Sequence, residues 1–197
     1  MNTKNLTLIS IGIFILMLGG CGCNSYNGLA GGDQEVKKVW SNVETNYQRR
    51  TDLYSSIIKT IEGSANFEKS TLKEVIAARS AATQIKVDIN DPETLAKYQA
   101  AQGQLQSSFG RLMAIAEAYP DLKTTKSFQD FQMQIEGTEN RINVARQDYN
   151  KAVEGFNLKV VKFPNNIFAG LFHFKEKAYY KADAGSEKNP DIQFNIK

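Results

Sequence analysis

The sequence predicts an all-α protein, built as an elongated antiparallel four-helix bundle with an N-terminal membrane anchor. Three observations favour this fold class. An uncharged apolar run at residues 6–18 is followed by two glycines and Cys21. Along most of the remaining chain, apolar residues recur at steps of three and four, which is the spacing of one helix face. Turn signals such as Gly63 and Pro120 separate these segments, and no strand pattern of comparable length competes with them.

The N-terminal segment is interpreted as a membrane anchor of one of two kinds. Lys4, the apolar run and the small residues before Cys21 have the layout of a secretory signal, and a small pair directly before a cysteine resembles a lipobox. Cys21 would then be lipidated and become the mature N-terminus. This kind is favoured because the apolar core is short. The alternative is an uncleaved spanning helix, since residues 6–23 provide 18 residues and a span needs roughly 17–25.

Either kind of anchor places the protein at a membrane. Lys4 precedes the apolar run, whereas Lys37 and Lys38 follow it only at a distance. This asymmetry favours an N-terminus in the cytoplasm and a domain on the extracytoplasmic side. We assign residues 1–24 to the anchor and residues 25–183 to the helical domain. The polar residues 184–197 are predicted to form a disordered tail.

The first two helices of the domain are predicted at residues 33–61 and 66–86. In the first helix, eight positions follow the three-four rhythm, and all but one of them can bury apolar surface. These positions are Val36, Trp40, Val43, Tyr47, Arg50, Tyr54, Ile57 and Ile61. The second helix is shorter and is indicated by Leu72, Val75, Ile76, Ala82 and Ile85.

A third helix is predicted between Pro92 and Tyr119, because Asp91 can cap its start and Pro120 ends it. A fourth and longer helix is predicted at residues 125–158, where the same rhythm continues. Long helices joined by short turns bury their apolar faces best by antiparallel packing. At ~1.5 Å per residue, the first and last helices would each extend roughly 40 Å, which makes the bundle elongated.

An apolar stretch at residues 163–174 follows the fourth helix and contains four phenylalanines. We interpret it as a loop-like segment that folds back and closes the end of the bundle. The alternative is an exposed apolar surface for a partner or for the face of a bilayer.

Charge and residue usage exclude several functional classes. A net charge of +3 from 24 basic and 21 acidic residues, without a basic stripe, tells against nucleic-acid binding. Cys21 and Cys23 are the only cysteines, so the domain has neither disulfides nor thiolate metal ligands. His173 is the only histidine, and the sequence has no glycine-rich phosphate loop. We therefore predict no catalytic residues, no metal and no cofactor.

Polar residues on the helix faces are interpreted as a structural network. Arg50 occupies an apolar position of the first helix, so its guanidinium needs a carboxylate partner, and Glu139 or Asp52 could supply one. The carboxylates of Glu136 and Glu139 could also serve acid–base or metal chemistry. That interpretation ranks lower, because the Glu-x-x-His motifs of di-iron bundles are missing. The predicted network comprises Arg50, Asp52, Glu139, Asn140, Arg146, Tyr149 and Asn150.

A succession of short segments resembles the LemA family, in the same order and with the same spacing. The segments are Ser25-Tyr-Asn-Gly-Leu29, Val39-Trp-Ser-Asn-Val43, Tyr47-Gln-Arg-Arg-Thr-Asp-Leu53, Arg111-Leu-Met, Glu117-Ala-Tyr-Pro-Asp-Leu122, Glu136-Gly-Thr-Glu-Asn-Arg-Ile142, Ala145-Arg-Gln-Asp-Tyr-Asn150, Phe156-Asn157 and Phe163-Pro-Asn-Asn-Ile-Phe-Ala-Gly170. The resemblance covers residues 26–182. It implies a membrane-anchored helical bundle and no particular activity, because the biochemical role of the family is not established. One departure is at residues 51–56, where the family usually has a proline and this chain has Ser55.

The function expected from these observations is that of a non-catalytic envelope protein. Its bundle would present a long helical face to unidentified envelope proteins or to further copies of the chain, or would space them from the membrane. The alternative is an enzyme or ligand carrier with a polar pocket around Arg50, Glu139 and Tyr149.

Overall fold

The structure is a computed structural model that describes residues 3–62 and 69–182. Within the first range, the side chains of residues 3–11, 13–19 and 21 are not described. Regular structure in these ranges is entirely helical, without strands, which confirms the all-α prediction. The described helices are α1 (Thr3–Glu62), α2 (Lys69–Gln84), α3 (Pro92–Ala116), α4 (Pro120–Lys123), α5 (Lys126–Val161) and α6 (Asn165–Leu171).

Helix α1 begins thirty residues before the start predicted for the first domain helix, because the apolar N-terminal segment and that helix form one continuous element. The first proline of the chain is Pro92, so no residue before it lacks the amide hydrogen that a helix interior requires. Helix α1 also continues unbroken through residues 51–56, where the chain has Ser55 and no proline. Among the described residues, no helix combines the length and the apolar character needed to cross a membrane.

The predicted start of α3 is confirmed, and its cap explains the position. The Asp91 side chain accepts a hydrogen bond of 2.9 Å from the backbone N–H of Glu93, and Pro92 is the first helical residue. The helix ends at Ala116, three residues earlier than predicted. There the N–H groups of Ala118 and Tyr119 bond to the carbonyls three residues before them, and this tight turn leads into α4.

The prediction of a loop-like segment at residues 163–174 was wrong, because Asn165–Leu171 forms helix α6. Its C-terminus is closed by a pair of backbone hydrogen bonds: Phe174 N–H donates to Ala169 O at 2.9 Å, and His173 N–H donates to Gly170 O at 3.3 Å. His173 has a positive φ of 59°. This pattern is a Schellman motif, in which the residue after the helix adopts the left-handed conformation.

The chain divides into two compact units. The first unit consists of residues 1–50 and 136–178, and the second of residues 51–135 and 179–197. The single domain predicted at residues 25–183 and the four-helix bundle stay predictions. The predicted tail at residues 184–197 lies outside the described residues.

The second unit has an aromatic centre in which Tyr54 stacks on Phe109, with ring centroids 3.7 Å apart. Phe131 lies 5.4 Å from the Phe109 ring and extends this cluster. Aliphatic residues of α1, α2 and α3 pack around it, among them Ile61, Val75 and Leu112, which are fully buried. The three-four rhythm of the sequence thus corresponds to buried residues on each of these helices.

The first unit is built on an antiparallel pair, the N-terminal part of α1 and the C-terminal part of α5. The pairing is antiparallel, because residues later in α5 contact residues earlier in α1. Arg50 bonds to Glu139, and Trp40 packs on Tyr149 with ring centroids 5.1 Å apart. Further along, Gly32 lies against the Phe156 ring.

Candidate functional site

The site with the most polar chemistry lies on the α1–α5 pair, at the end where Arg50 and Glu139 meet. The Arg50 side chain is completely buried, whereas the Glu139 side chain is 28% exposed. Arg50 Nη1 and Glu139 Oε1 are 3.3 Å apart, which makes a salt bridge with one donor and one acceptor atom. The sequence placed Arg50 on the apolar face of α1, and the structure brings it to one of the two carboxylates considered for it.

Tyr47 joins this ion pair to a second arginine. Its ring centroid lies 4.8 Å from Arg50 Cζ and 5.6 Å from Arg146 Cζ. The Tyr47 hydroxyl accepts hydrogen bonds from Arg146 Nε at 2.9 Å and from Arg146 Nη2 at 2.5 Å. A guanidinium held near an aromatic ring and bonded to a fixed acceptor is stabilised by cation–π attraction and by the hydrogen bonds. Polar side chains thereby connect one turn of α1, from Tyr47 to Arg50, with about two turns of α5, from Glu139 to Arg146.

The other predicted network residues are Tyr149, Asn140, Asn150 and Asp52. Tyr149 is ten residues beyond Glu139 on α5, about 15 Å along the helix. Its hydroxyl donates to Ala178 O at 2.9 Å, and burial raises the pKa of this hydroxyl. Asn140 is exposed and Asn150 is half-buried, both on α5. Asp52 is exposed and belongs to the second unit.

A second buried polar cluster in the first unit was not predicted. Asp33 on α1 accepts from Lys177 Nζ at 2.5 Å and from Lys37 Nζ at 2.7 Å. Lys177 belongs to the irregular segment after α6, and its ammonium lies 5.3 Å from the Phe156 ring. The Asn157 side chain bonds to both backbone groups of Lys177: its Oδ1 accepts from the N–H at 2.8 Å, and its Nδ2 donates to the carbonyl at 3.0 Å.

This cluster fixes the irregular segment to the helix pair. Burial raises the pKa of Asp33, but hydrogen bonds from Lys177 and Lys37 outweigh that effect, so the net pKa lies below its ordinary value of 3.8. Asp33 is therefore ionised at neutral pH. The carboxylate, the ammonium of Lys177 and the amide of Asn157 hold residues 177–178 against α1 and α5.

Only part of this cluster had a signal in the sequence. Asp33 is the first acidic residue of the chain and stands four residues before Lys37, which is the spacing of a helical ion pair. Asn157 belongs to one of the segments that resemble the LemA family. Lys177 lies outside every periodic segment, so nothing in the sequence pointed to its burial.

A surface groove runs along one flank of the same helix pair. Its volume is ≈ 340 Å³. The lining residues are Val39, Asn42, Thr45 and Asn46 from α1, and Asn140, Arg141, Val144, Ala145 and Asp148 from α5. Thr45 and Asn46 donate hydrogen bonds to carbonyls of their own helix, at 2.7 and 2.8 Å. The groove therefore offers amide and charged groups beside an exposed valine.

The geometry favours paired polar groups over a reactive pocket. Arg50 and Glu139 neutralise each other, and Tyr149 bonds to the backbone about 15 Å away. In the part of the chain that the structure describes, no group of three or more His, Cys, Asp or Glu side chains is placed to hold a metal ion. The Cys21 side chain lies outside the described residues.

Comparison with known proteins establishes the family. Residues 39–194 match the LemA family, which is most of the chain. The chain belongs to the LemA family. The matched range therefore includes the residues of both polar clusters except Asp33 and Lys37, which precede it.

Among relatives, this LemA-family chain is 28% identical to Protein LemA of Metamycoplasma hominis, over 89% of the chain and 75% of the relative. It is 25% identical to Magnetosome protein MamQ 2 of Paramagnetospirillum magneticum, over 89% of the chain and 70% of that protein. It is also 25% identical to Magnetosome protein MamQ of Magnetospirillum gryphiswaldense, over 79% of the chain and 64% of that protein. None of these names denotes an enzyme.

Proposed function

We propose that this LemA-family protein is a membrane-anchored, non-catalytic envelope protein whose helical surface binds other proteins. The observation that carries the proposal is the pairing of its buried polar groups. Arg50 with Glu139, Tyr47 with Arg146, and Asp33 with Lys177 all bond within the first unit. These groups hold α1, α5 and the irregular segment after α6 together, and a partner reaches the exposed groove along α1 and α5 instead.

Membrane attachment supports this role and is itself part of the proposal. Residues 6–18 are apolar and uncharged and lead into Cys21. Membership of the LemA family and similarity to the MamQ proteins support a membrane-associated protein without catalytic activity. We propose a lipid on Cys21 or a single spanning helix as the anchor, with residues 25–183 on the extracytoplasmic side. Within this scheme the protein acts as a scaffold, and a second copy of the chain is one candidate partner.

In-membrane crosslinking tests the proposed binding surface. A photoreactive amino acid replaces Val144, which lines the groove, or its neighbour Asn143, which is also exposed but lies outside the groove lining. Adjacent residues on a helix point about 100° apart, so the two probes sample different flanks of α5. We expect discrete protein adducts, identifiable by mass spectrometry, from the Val144 probe and few from the Asn143 probe.

Two outcomes would contradict the proposal. Equal labelling by both probes would mean that the groove has no partner of its own. Labelling of a small molecule in place of a protein would favour the ligand-carrier alternative.

A further inference from the structure

Large apolar side chains are exposed where α5 turns into α6. Phe163 is 80% exposed, Leu171 66% and Ile167 59%, and Val161 in the last turn of α5 is also exposed. Ile167 and Leu171 are four residues apart and share one face of α6. We call Val161, Phe163, Ile167 and Leu171 the apolar tip. Clustered exposure of this kind marks a surface that binds something apolar.

The contacts of α6 place this tip level with the end of the anchor. A Cβ atom added to Gly22 would lie 3.1 Å from Phe168 Cε1, so α6 packs directly on α1 at that glycine. Four residues further along the chain in each case, the Phe172 ring, directly after α6, lies 5.0 Å from the Tyr26 ring of α1. Helix α6 therefore runs in the same direction as α1.

The start of α6 is accordingly its end nearest the apolar run. Since α5 approaches α1 from the opposite direction, the turn that carries Phe163 lies near Gly22. Gly22 follows the apolar run of residues 6–18 by four residues, about 6 Å along the helix.

Both kinds of anchor bring Gly22 to the surface of the bilayer. If Cys21 is acylated, the acyl chains leave the protein one residue before Gly22. If residues 6–23 span the membrane, Gly22 lies at the end of the span. The position of the apolar tip relative to the membrane is thus the same in either case.

We propose that the apolar tip inserts into the headgroup–acyl boundary of the bilayer that holds the anchor. This inference rests on the proposed membrane attachment and specifies how the first unit meets the membrane. Phenylalanine and aliphatic side chains enter this boundary readily, and basic side chains beside them contact anionic headgroups. Lys162 and Lys175 are exposed and lie on either side of α6 in the sequence. An α6 held in this way ties the first unit to the membrane at a second point beside the anchor.

Fluorescence quenching by brominated lipids tests the inference on the full chain. The protein is reconstituted in vesicles of phosphatidylethanolamine and phosphatidylglycerol whose lipids carry bromine near the headgroup. Tryptophan is introduced as Ile167→Trp or Leu171→Trp in the tip. The matched control is Val144→Trp, since Val144 is 50% exposed but lies on α5 near the level of Tyr47. The native Trp40 is eighteen residues beyond Gly22, about 27 Å along α1, so its signal forms a constant background.

If the apolar tip inserts into the bilayer, the tryptophan at position 167 or 171 should lose about half or more of its fluorescence, because it lies within the bromine-bearing layer. The tryptophan at 144 should lose almost none. Adding Phe163→Ser to Ile167→Trp should reduce the quenching.

Flotation of the wild-type protein with the vesicles separates the two proposals. A protein that does not float overturns the membrane attachment and this inference with it. A protein that floats, but whose tip tryptophans are quenched no more than the control, overturns the inference alone, and a protein partner or second copy would then cover the tip.

Discussion

Arg50 shows how one residue joins sequence and structure in this protein. It occupies an apolar position of α1, is completely buried, and forms its salt bridge with Glu139 at 3.3 Å. A buried ion pair contributes little net stability, because desolvation offsets most of the attraction between the charges. Removing one partner is costly all the same, since the remaining charge stays buried. We infer that the pair selects the register between α1 and α5.

A double-mutant cycle tests this role. Glu139→Met should destabilise the protein by roughly 3 kcal/mol, because it removes the Glu139 carboxylate from a completely buried guanidinium. Arg50→Met combined with Glu139→Met should recover much of that loss, and equilibrium unfolding in urea measures the coupling between them.

The exposed pair of Arg111 and Glu74 is the control, with its charged atoms 3.0 Å apart and both side chains more than half exposed. Its coupling should stay below about 1 kcal/mol. Additive, near-zero effects at Arg50 and Glu139 would show that the pair has no role in stability.

Asp33 gives a prediction that depends on pH. Its folded-state pKa lies below the ordinary value of 3.8, so the unfolded state binds the proton more tightly. The stability that Asp33 contributes is therefore complete above that value and disappears as the pH falls below it. Asp33→Asn should lower the free energy of unfolding by roughly 3 kcal/mol at neutral pH, because Lys177 keeps a buried ammonium.

The difference in the free energy of unfolding between wild type and Asp33→Asn should disappear only below about pH 4. Glu35→Gln serves as the control, because Glu35 pairs with Lys38 at the surface and should contribute less than about 0.5 kcal/mol. A difference that closes between neutral pH and pH 5 would contradict the assignment to Asp33.

At the scale of the elements, two glycines decide how closely the helices of the first unit approach. A Cβ atom at Gly32 would lie 3.0 Å from Phe156 Cδ2, and the Phe156 ring is itself buried. The neighbouring Gly31 is exposed, and a Cβ atom there would meet nothing within 4 Å. Gly22 meets α6 in the same way as Gly32 meets α5.

This difference predicts opposite effects of one substitution at adjacent sites. Gly31→Ala should stabilise the protein by about 0.5–1 kcal/mol, since alanine favours the helix and clashes with nothing. Gly32→Ala should destabilise it by about 1–3 kcal/mol, because the methyl group forces Phe156 out of place. Thermal unfolding of both variants measures the contrast, and equal shifts in Tm would mean that α1 and α5 pack differently.

Helix α6 shows why one element was missed. Its seven residues span only about two turns, too short for a recurring apolar pattern. Its apolar side chains also divide between a face that packs on α1 and a face that is exposed. The sequence shows only that apolar residues are frequent in this stretch. That observation led to the prediction of a loop-like segment closing the bundle.

At the scale of the whole molecule, the proposed membrane attachment gives a prediction about Cys21. If the lipobox interpretation is correct, the wild-type protein isolated from membranes begins at an acylated Cys21, and Cys21→Ser keeps its full N-terminus. Intact-mass measurement of both forms distinguishes these products. An unmodified wild-type protein that still begins at Met1 would favour the spanning helix.

The division into two compact units belongs to this scale as well. Helices α1 and α5 each contribute residues to both units, with the divisions after Arg50 and after Ile135. The three-four rhythm is continuous across both points, because each helix keeps an apolar face throughout its length. A continuous rhythm predicts one domain. It carries no information on which helices share a core at each position along α1 and α5.

The sequence alone determined the all-helical fold, the cap at Asp91 and the polar character of Arg50 on an apolar face. These properties are local, since helix periodicity, capping and the cost of burying a charge depend on residues close together in the chain. Tertiary structure decided that Glu139 of α5 reaches Arg50 of α1, and that Lys177 closes on Asp33. It also left the apolar tip uncovered. Each of these depends on residues far apart in the chain, whose meeting is set by the packing of whole helices.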